Sequence, residues 1–148
     1  NYRPRLWSNP KEAQQQFELA LQKCDSSLPG VDDFEQLFGM TTVEDVCDYC
    51  QPFDIKELII KNGEQGILVV FDGESSEFPI TPVENVIDTT SAGDSFNGAY
   101  LGARIEGYSV NDAIVLASKT AGFVIQYQGA IAPADEFEIF IKHQLSLI

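Results

Sequence analysis

Two runs of branched apolar residues, Glu57 to Lys61 (ELIIK) and Ile67 to Phe71 (ILVVF), constrain the fold most, because stretches this short and this apolar read as strands buried in a sheet. Gly63 and Gly66 mark the turn between them, NGEQG. Asp72-Gly73 is the strongest hairpin signal in the chain and predicts an exposed return strand through Phe78 to Ile80. Helical patterns surround these strands. Asn9 suits an N-cap, Pro10 the first helical position and Glu12 the acid of a capping box, with Ala13, Phe17, Leu21 and Cys24 as an apolar stripe. Ser26 to Leu28 reads as a short strand, VDDFEQLFG as a short helix closed by Gly39, and Val43 to Tyr49 as another. Before them, NYRPRLW is expected to be extended, since Pro4 disfavours a helical Arg3. Towards the C-terminus, Ala92, Phe96, Ala99, Tyr100 and Ala103 share one helical face, Val110 to Val124 forms a second helix, and Pro133 opens a third with Phe137, Phe140, Ile141 and Leu145 inward. Strands alternating with helices indicate an α/β layered fold.

Charge narrows the partners. With 9 basic against 23 acidic residues among 148, the formal charge of -14 opposes extended contact with a phosphate backbone, so nucleic acid is not expected. A small anion is still accommodated where local N–H groups and a metal outweigh a screened field. No run reaches the ~18 to 20 apolar residues of a membrane span. The first residues carry neither a signal-peptide core nor a starting Met, so Asn1 reads as an internal cut. Cys24, Cys47 and Cys50 are an odd number, which disfavours a secreted disulfide scaffold and fits a cytoplasmic protein. Cys47 and Cys50 have C-x-x-C spacing, which redox or zinc chemistry would use; no second pair completes a zinc site, and thiols packed as small hydrophobes are the competing reading. His143, the one histidine, lies near the end of the last helix, where it suits a dipole partner better than a base.

The stretch Val86 to Glu106, VIDTTSAGDSFNGAYLGARIE, concentrates the candidate chemistry. A helix starting near Ser91 leaves the N–H groups of Ala92, Gly93 and Asp94 without carbonyl partners inside the helix, and the macrodipole adds positive charge there. An anion fits such a place. Gly93 removes the Cβ that would keep a ligand away, and Asp94 sets a carboxylate beside it. The competing reading makes Asp94 a cap or dipole partner only. Neither G-x-G-x-x-G nor G-x-x-x-x-G-K-[ST] occurs, so phosphate binding has to use this helix start, with Lys61 and the glycines after it as a weaker second element.

Asp88, Thr89, Ala92, Gly93 and Asp94 in DTTSAGDSFNGAY match the Asp-Thr-x-Gly-Ala-Gly-Asp signature of the ribokinase-like (PfkB) carbohydrate kinases, with Ser91 where most members have Gly. The resemblance is strongest to the branch acting on 2-keto-3-deoxygluconate. NYRPRLW is similar to that branch's Asn-x-Arg-x-x-Leu-Trp segment, KNGEQG to a Lys-x-Gly-x-x-Gly strand turn, and KTAGFVIQYQGAIAP to the region closing around adenine. SLPGVDDFEQLFG resembles a metal-associated Pro-Asn/Ser-x-x-Glu segment, with Gly30 for the polar residue and Asp33 for the Glu.

This resemblance implies a three-layer α/β/α sandwich with a mostly parallel sheet and a β-hairpin, of which residues 1–148 are the C-terminal, nucleotide-binding half. It implies ATP and Mg2+ as cofactors. Asp94 would be the base, and Ser91, Ala92 and Gly93 would hold the transferring phosphoryl. Lys61, Gly63 and Gly66 would meet the nucleotide, Asn1 and Arg3 the sugar acid and phosphates, and Asp33 the metal indirectly. Arg3 as a merely solvated side chain is the alternative. Family members are about twice as long, so most sugar contacts and the dimerising lid should lie elsewhere, and an exposed sheet edge would invite a second copy. Two rival functions follow: a nucleotide-binding or interaction module without turnover, and a small redox protein using Cys47 and Cys50.

Overall fold

Asn9 and Pro10 start the first helix as the sequence predicts: in the computed structural model, which describes residues 1–148, the Asn9 side chain accepts the Glu12 N–H at 2.9 Å. This helix, α1, runs Pro10–Leu21. The chain falls into two units, Asn1–Ile80 and Thr81–Ile148.

The first unit continues with strand β1 (Ser26–Ser27), helices α2 (Val31–Phe38) and α3 (Val43–Cys50), and strands β2 (Glu57–Lys61), β3 (Ile67–Phe71) and β4 (Glu74–Phe78) in the order β1-β2-β3-β4. The sheet is mixed rather than mostly parallel. Only β1 and β2 run parallel, Ser26 opposite Glu57, with the pairing taken up again by a bridge between Gly30 and Lys61. Both other pairs are antiparallel. Chain length dictates this, because a parallel return needs a crossover of about a dozen residues or more, which neither NGEQG nor Asp72-Gly73 supplies. Asp72 and Gly73 both have positive φ, 51° and 79°, as a primed hairpin turn requires, so β4 begins directly after the turn rather than near Phe78.

The core of this unit follows from that pairing. Leu58 and Ile60 point to one face of β2 and meet Leu21, Val31, Phe34, Val46 and Cys50 from the three helices. Cys24 and Cys47 pack against the same cluster, so all three thiols act as small hydrophobes. Burial pushes the Cys50 thiol up to about 12, and raises Cys24 and Cys47 too, which leaves little thiolate for redox chemistry. No group of three or more His, Cys, Asp or Glu side chains is placed to hold a metal ion. Gly66, at φ 118°, is required sterically: a Cβ there would stand 2.8 Å from the Phe78 carbonyl oxygen.

Pro4 does keep Arg3 extended, at φ -124° and ψ 91°, yet Pro4–Leu6 forms one 3-10 turn where an extended segment was expected. The proline ring presets the φ such a turn needs.

The second unit is helical. Helix α4 (Ala92–Ile105) buries Phe96, Tyr100 and Ala103 on the predicted face, whereas Ala92 and Ala99 are half-buried. Helix α5 (Val110–Val124) has the predicted bounds and is capped by Ser109, whose hydroxyl accepts the Asp112 N–H at 3.1 Å. Helix α6 (Ala134–Leu145) joins α5 through Phe123 and Phe140, stacked with ring centres 4.3 Å apart. No helix is long and apolar enough to cross a membrane.

Candidate active site

The start of α4 is built by the loop before it. Asp88 is its organiser: Oδ1 accepts the Thr90 N–H at 2.9 Å, closing an Asx turn, and Oδ2 accepts the Gly129 N–H at 2.9 Å. The Ile87 and Asp88 N–H groups donate to the Ile125 carbonyl at 2.9 and 3.2 Å, so the loop after α5 is fastened to the loop before α4. Hydrogen bonds from Thr90, first of all from its side chain, and then the backbone N–H of Gly129 hold the Asp88 carboxyl below the usual carboxylate range. The sequence signature includes Asp88, but nothing local in the sequence points to a partner 41 residues away.

Ser91 then takes the left-handed conformation, φ 68° and ψ 8°, and caps the helix without a side-chain hydrogen bond. This residue turns the chain so that α4 leads away from the loop. Its carbonyl accepts both the Ser95 N–H at 2.8 Å and the Ser95 hydroxyl at 2.7 Å, which fixes the first helical turn. Left-handed backbone costs an L-residue about 1 to 2 kcal/mol, a cost that glycine escapes. Ser91→Gly is therefore expected to stabilise the chain by about 1 kcal/mol, read as a rise of roughly 2 to 4 °C in thermal melting. A fall would show that the Ser91 side chain makes a compensating contact.

Of the predicted cradle, Ala92 directs its N–H back to the Thr89 carbonyl at 3.2 Å. Gly93, second in the helix, has no intrahelical acceptor for its N–H. Asp94 follows as the acid of the first turn, with its side chain exposed. Three features of this turn thus converge: a side-chain-free Gly93 backbone, the positive end of a 14-residue helix and a carboxylate. Such a turn has the chemistry to accept an anionic group and offers a carboxylate in the same turn.

The first unit gathers a second set of predicted residues. Tyr2 is buried with Ala13 and Leu37, and its N–H donates to Asp33 Oδ1 at 2.7 Å. Because successive side chains of an extended segment alternate, burying Tyr2 turns Asn1 and Arg3 outward, and both are exposed. Asp33 lies in the first turn of α2, whose start at Gly30 bridges to Lys61, and the Lys61 N–H donates to the Pro29 carbonyl at 2.9 Å. Gly63 and Gly66 belong to the 3-10 turn and strand start directly after Lys61. Asn1, Arg3, Asp33 and Lys61 are thereby linked through one end of the sheet. Residues 91–94 belong to the other unit.

Asp33 has a job that the sequence did not announce: one of its two oxygens fixes the Asn1–Arg3 segment. The 31 residues between Tyr2 and Asp33 explain why no local pattern signalled it.

Comparison with known proteins matches residues 1–136 to the description "pfkB family carbohydrate kinase". The chain is 42% identical over 138 residues to 2-dehydro-3-deoxygluconokinase of Escherichia coli (strain K12), which covers 91% of this chain and 45% of that relative. Among solved structures it resembles a ribokinase from Thermotoga maritima, with TM-score 0.68 and 32% identity over 82% of this chain and 43% of that one. It also resembles Arabidopsis thaliana ribokinase complexed with ribose and ATP, with TM-score 0.69 and 28% identity over 82% of this chain and 41% of that one. The chain spans less than half the length of these curated relatives.

Proposed function

Since the chain belongs to the pfkB family of carbohydrate kinases and has a ribokinase-like α/β fold, we propose that it supplies the nucleotide-binding half of a kinase acting on 2-keto-3-deoxygluconate, forming its 6-phosphate from ATP. The observation that carries this reading is the first turn of α4, where Gly93 and Asp94 are consecutive residues at the positive end of the helix. Asp94 accepts the proton of the attacking hydroxyl. The Gly93 N–H and the helix dipole stabilise negative charge on the transferring phosphoryl, with the backbones of Ser91 and Ala92 shaping the turn. Lys61, Gly63 and Gly66 face the nucleotide, and Asn1 and Arg3 face the sugar acid, the Arg3 fork suiting a carboxylate or phosphate.

ATP complexed with a 28% identical ribokinase supports ATP as the donor. Magnesium suits a site without a protein cage, because this ion keeps its waters and binds phosphates with one or two carboxylates. Asp33 is the acid available for it, acting indirectly, because Oδ1 is already taken by Tyr2; the ion would neutralise charge on the phosphates. Three reduced cysteines packed in or against the core suit a cytoplasmic setting.

A second reading, a nucleotide-binding module without turnover, is favoured by one fact: more than half of each matched relative lies outside the matched region. A joined chain separates the two. The segment of the Escherichia coli relative outside the match is fused ahead of Asn1, and ADP release is followed with and without 2-keto-3-deoxygluconate. Sugar-acid-dependent release at about 1 to 100 per second supports the kinase, and ATP binding without it leaves only the module.

A further inference from the structure

Arg3 is held through its backbone on both sides. Ahead of it, the Tyr2 N–H donates to Asp33 Oδ1 at 2.7 Å, and the Tyr2 ring packs edge-on against Phe17 of α1 with ring centres 6.4 Å apart. Behind it, the Arg3 carbonyl accepts the Leu6 N–H at 2.9 Å, and Trp7 packs against the same cluster as Tyr2. The side chain between these anchors is exposed. A guanidinium carried on a fixed backbone keeps its fork ready for a carboxylate, and less freedom is then lost on binding.

Asp33 is the anchor that reaches across elements, since it stands in the first turn of α2, 31 residues from Tyr2. Its second oxygen, Oδ2, lies toward Gly30, where a Cβ would stand 3.6 Å away, and Gly30 bridges in turn to Lys61 at the end of β2. The carboxylate therefore ties the segment bearing Arg3 to the frame of the sheet. A hydrogen bond from an N–H to an ionised carboxylate is roughly twice as strong as a neutral one, which suits a tether that sets a position.

We propose that Asp33 is a positioning residue for substrate choice: through the Tyr2 N–H it fixes Arg3 so that the guanidinium grips the carboxylate of the sugar acid, and it thereby sets the preference for an acid over an uncharged sugar. Asp33 itself does not touch the sugar. The inference rests on the proposed function, in which Arg3 faces the sugar acid. It is separate from any part Asp33 takes in magnesium binding, because Oδ1 alone carries it. A bidentate grip aligns two N–H groups with two oxygens, so a displacement of about 1 Å costs as much as roughly 10².

Affinity of the joined chain for 2-keto-3-deoxygluconate and for its uncharged primary amide, measured by calorimetry beside turnover, tests this. Asp33→Ala should weaken binding of the acid by roughly 10-fold or more while leaving the amide and ATP within about 3-fold, and so should Arg3→Ala. The two changes remove one interaction, so the double variant should bind the acid no more weakly than either single one. Asp33→Asn returns an oxygen to the Tyr2 N–H and should recover most of the acid's affinity, whereas a role through charge alone leaves it as weak as alanine does. Should Asp33→Ala fail to fold, Asp33→Glu decides: the charge stays, the carboxylate moves by one methylene, and the acid should again weaken relative to the amide. Additive losses, equal losses for acid and amide, no recovery in Asp33→Asn, or no loss at all overturn the proposal. Acid binding without turnover ends the kinase reading and leaves these affinities to decide the role of Asp33; no acid binding by the parent overturns both.

Discussion

Asp94→Asn in the joined chain is expected to lower turnover by roughly 10² to 10⁴, the range supplied by a positioned general base. Asparagine keeps the shape and remains able to hydrogen-bond, but it does not take up the hydroxyl proton. Nucleotide affinity should change far less, because under the proposed function the anion meets the backbone N–H of Gly93 and the helix dipole rather than the Asp94 side chain, and loss of a negative charge beside the phosphates would favour binding. A purely structural Asp94 gives the opposite pattern. As an acid in the first turn of α4 it has a dipole interaction worth about 0.3 to 1 kcal/mol, so melting would fall while turnover stayed near that of the parent. Turnover, ATP affinity and melting measured on this one variant decide the matter, and unchanged turnover removes Asp94 as the base.

Residues 1–148 alone are expected to show no sugar-dependent ATP turnover. Holding two reactants in line is worth effective molarities of about 10⁵ to 10⁸ M, and the proposed substrate contacts within this chain reduce to Asn1, Arg3 and Asp94. The loss should therefore be far larger than for Asp94→Asn. Coupled ATP turnover with a panel of sugar acids measures it, and a sugar-dependent rate of about 1 to 100 per second from this chain alone defeats the expectation.

Much of the fold was legible because its signals are local. Asn9 and Pro10 start α1, Gly39 ends α2 with φ 74°, Asp72-Gly73 turns the hairpin, and α5 spans the residues its apolar spacing marks. Sheet direction was harder to read. The resemblance implied a mostly parallel sheet, yet within this chain the short connections allow one parallel pair, and that pair is a two-residue strand. The candidate site divides the same way. Gly93 and Asp94 stand out in a contiguous signature, whereas Tyr2 with Asp33 and Asp88 with Gly129 meet across 31 and 41 residues, distances over which a residue pattern carries no trace of pairing. The left-handed Ser91 lies between these cases: the glycine expected there signals the conformation, and only the structure shows serine adopting it.

The bonds converging on Asp88 and Ile125 also set how this region fluctuates. Ile87, Asp88, Thr90 and Gly129 all place their N–H groups on just two acceptor residues, so no one of these amides reaches solvent for exchange without loosening the same small knot. Local openings in proteins occur in contiguous cooperative units, and this knot joins the segment leading into α4 with the segment leaving α5 into one of them. Under the proposed function, the phosphate side and the adenine side of the nucleotide would then breathe together, as a single hinge-less clasp rather than as two independent loops.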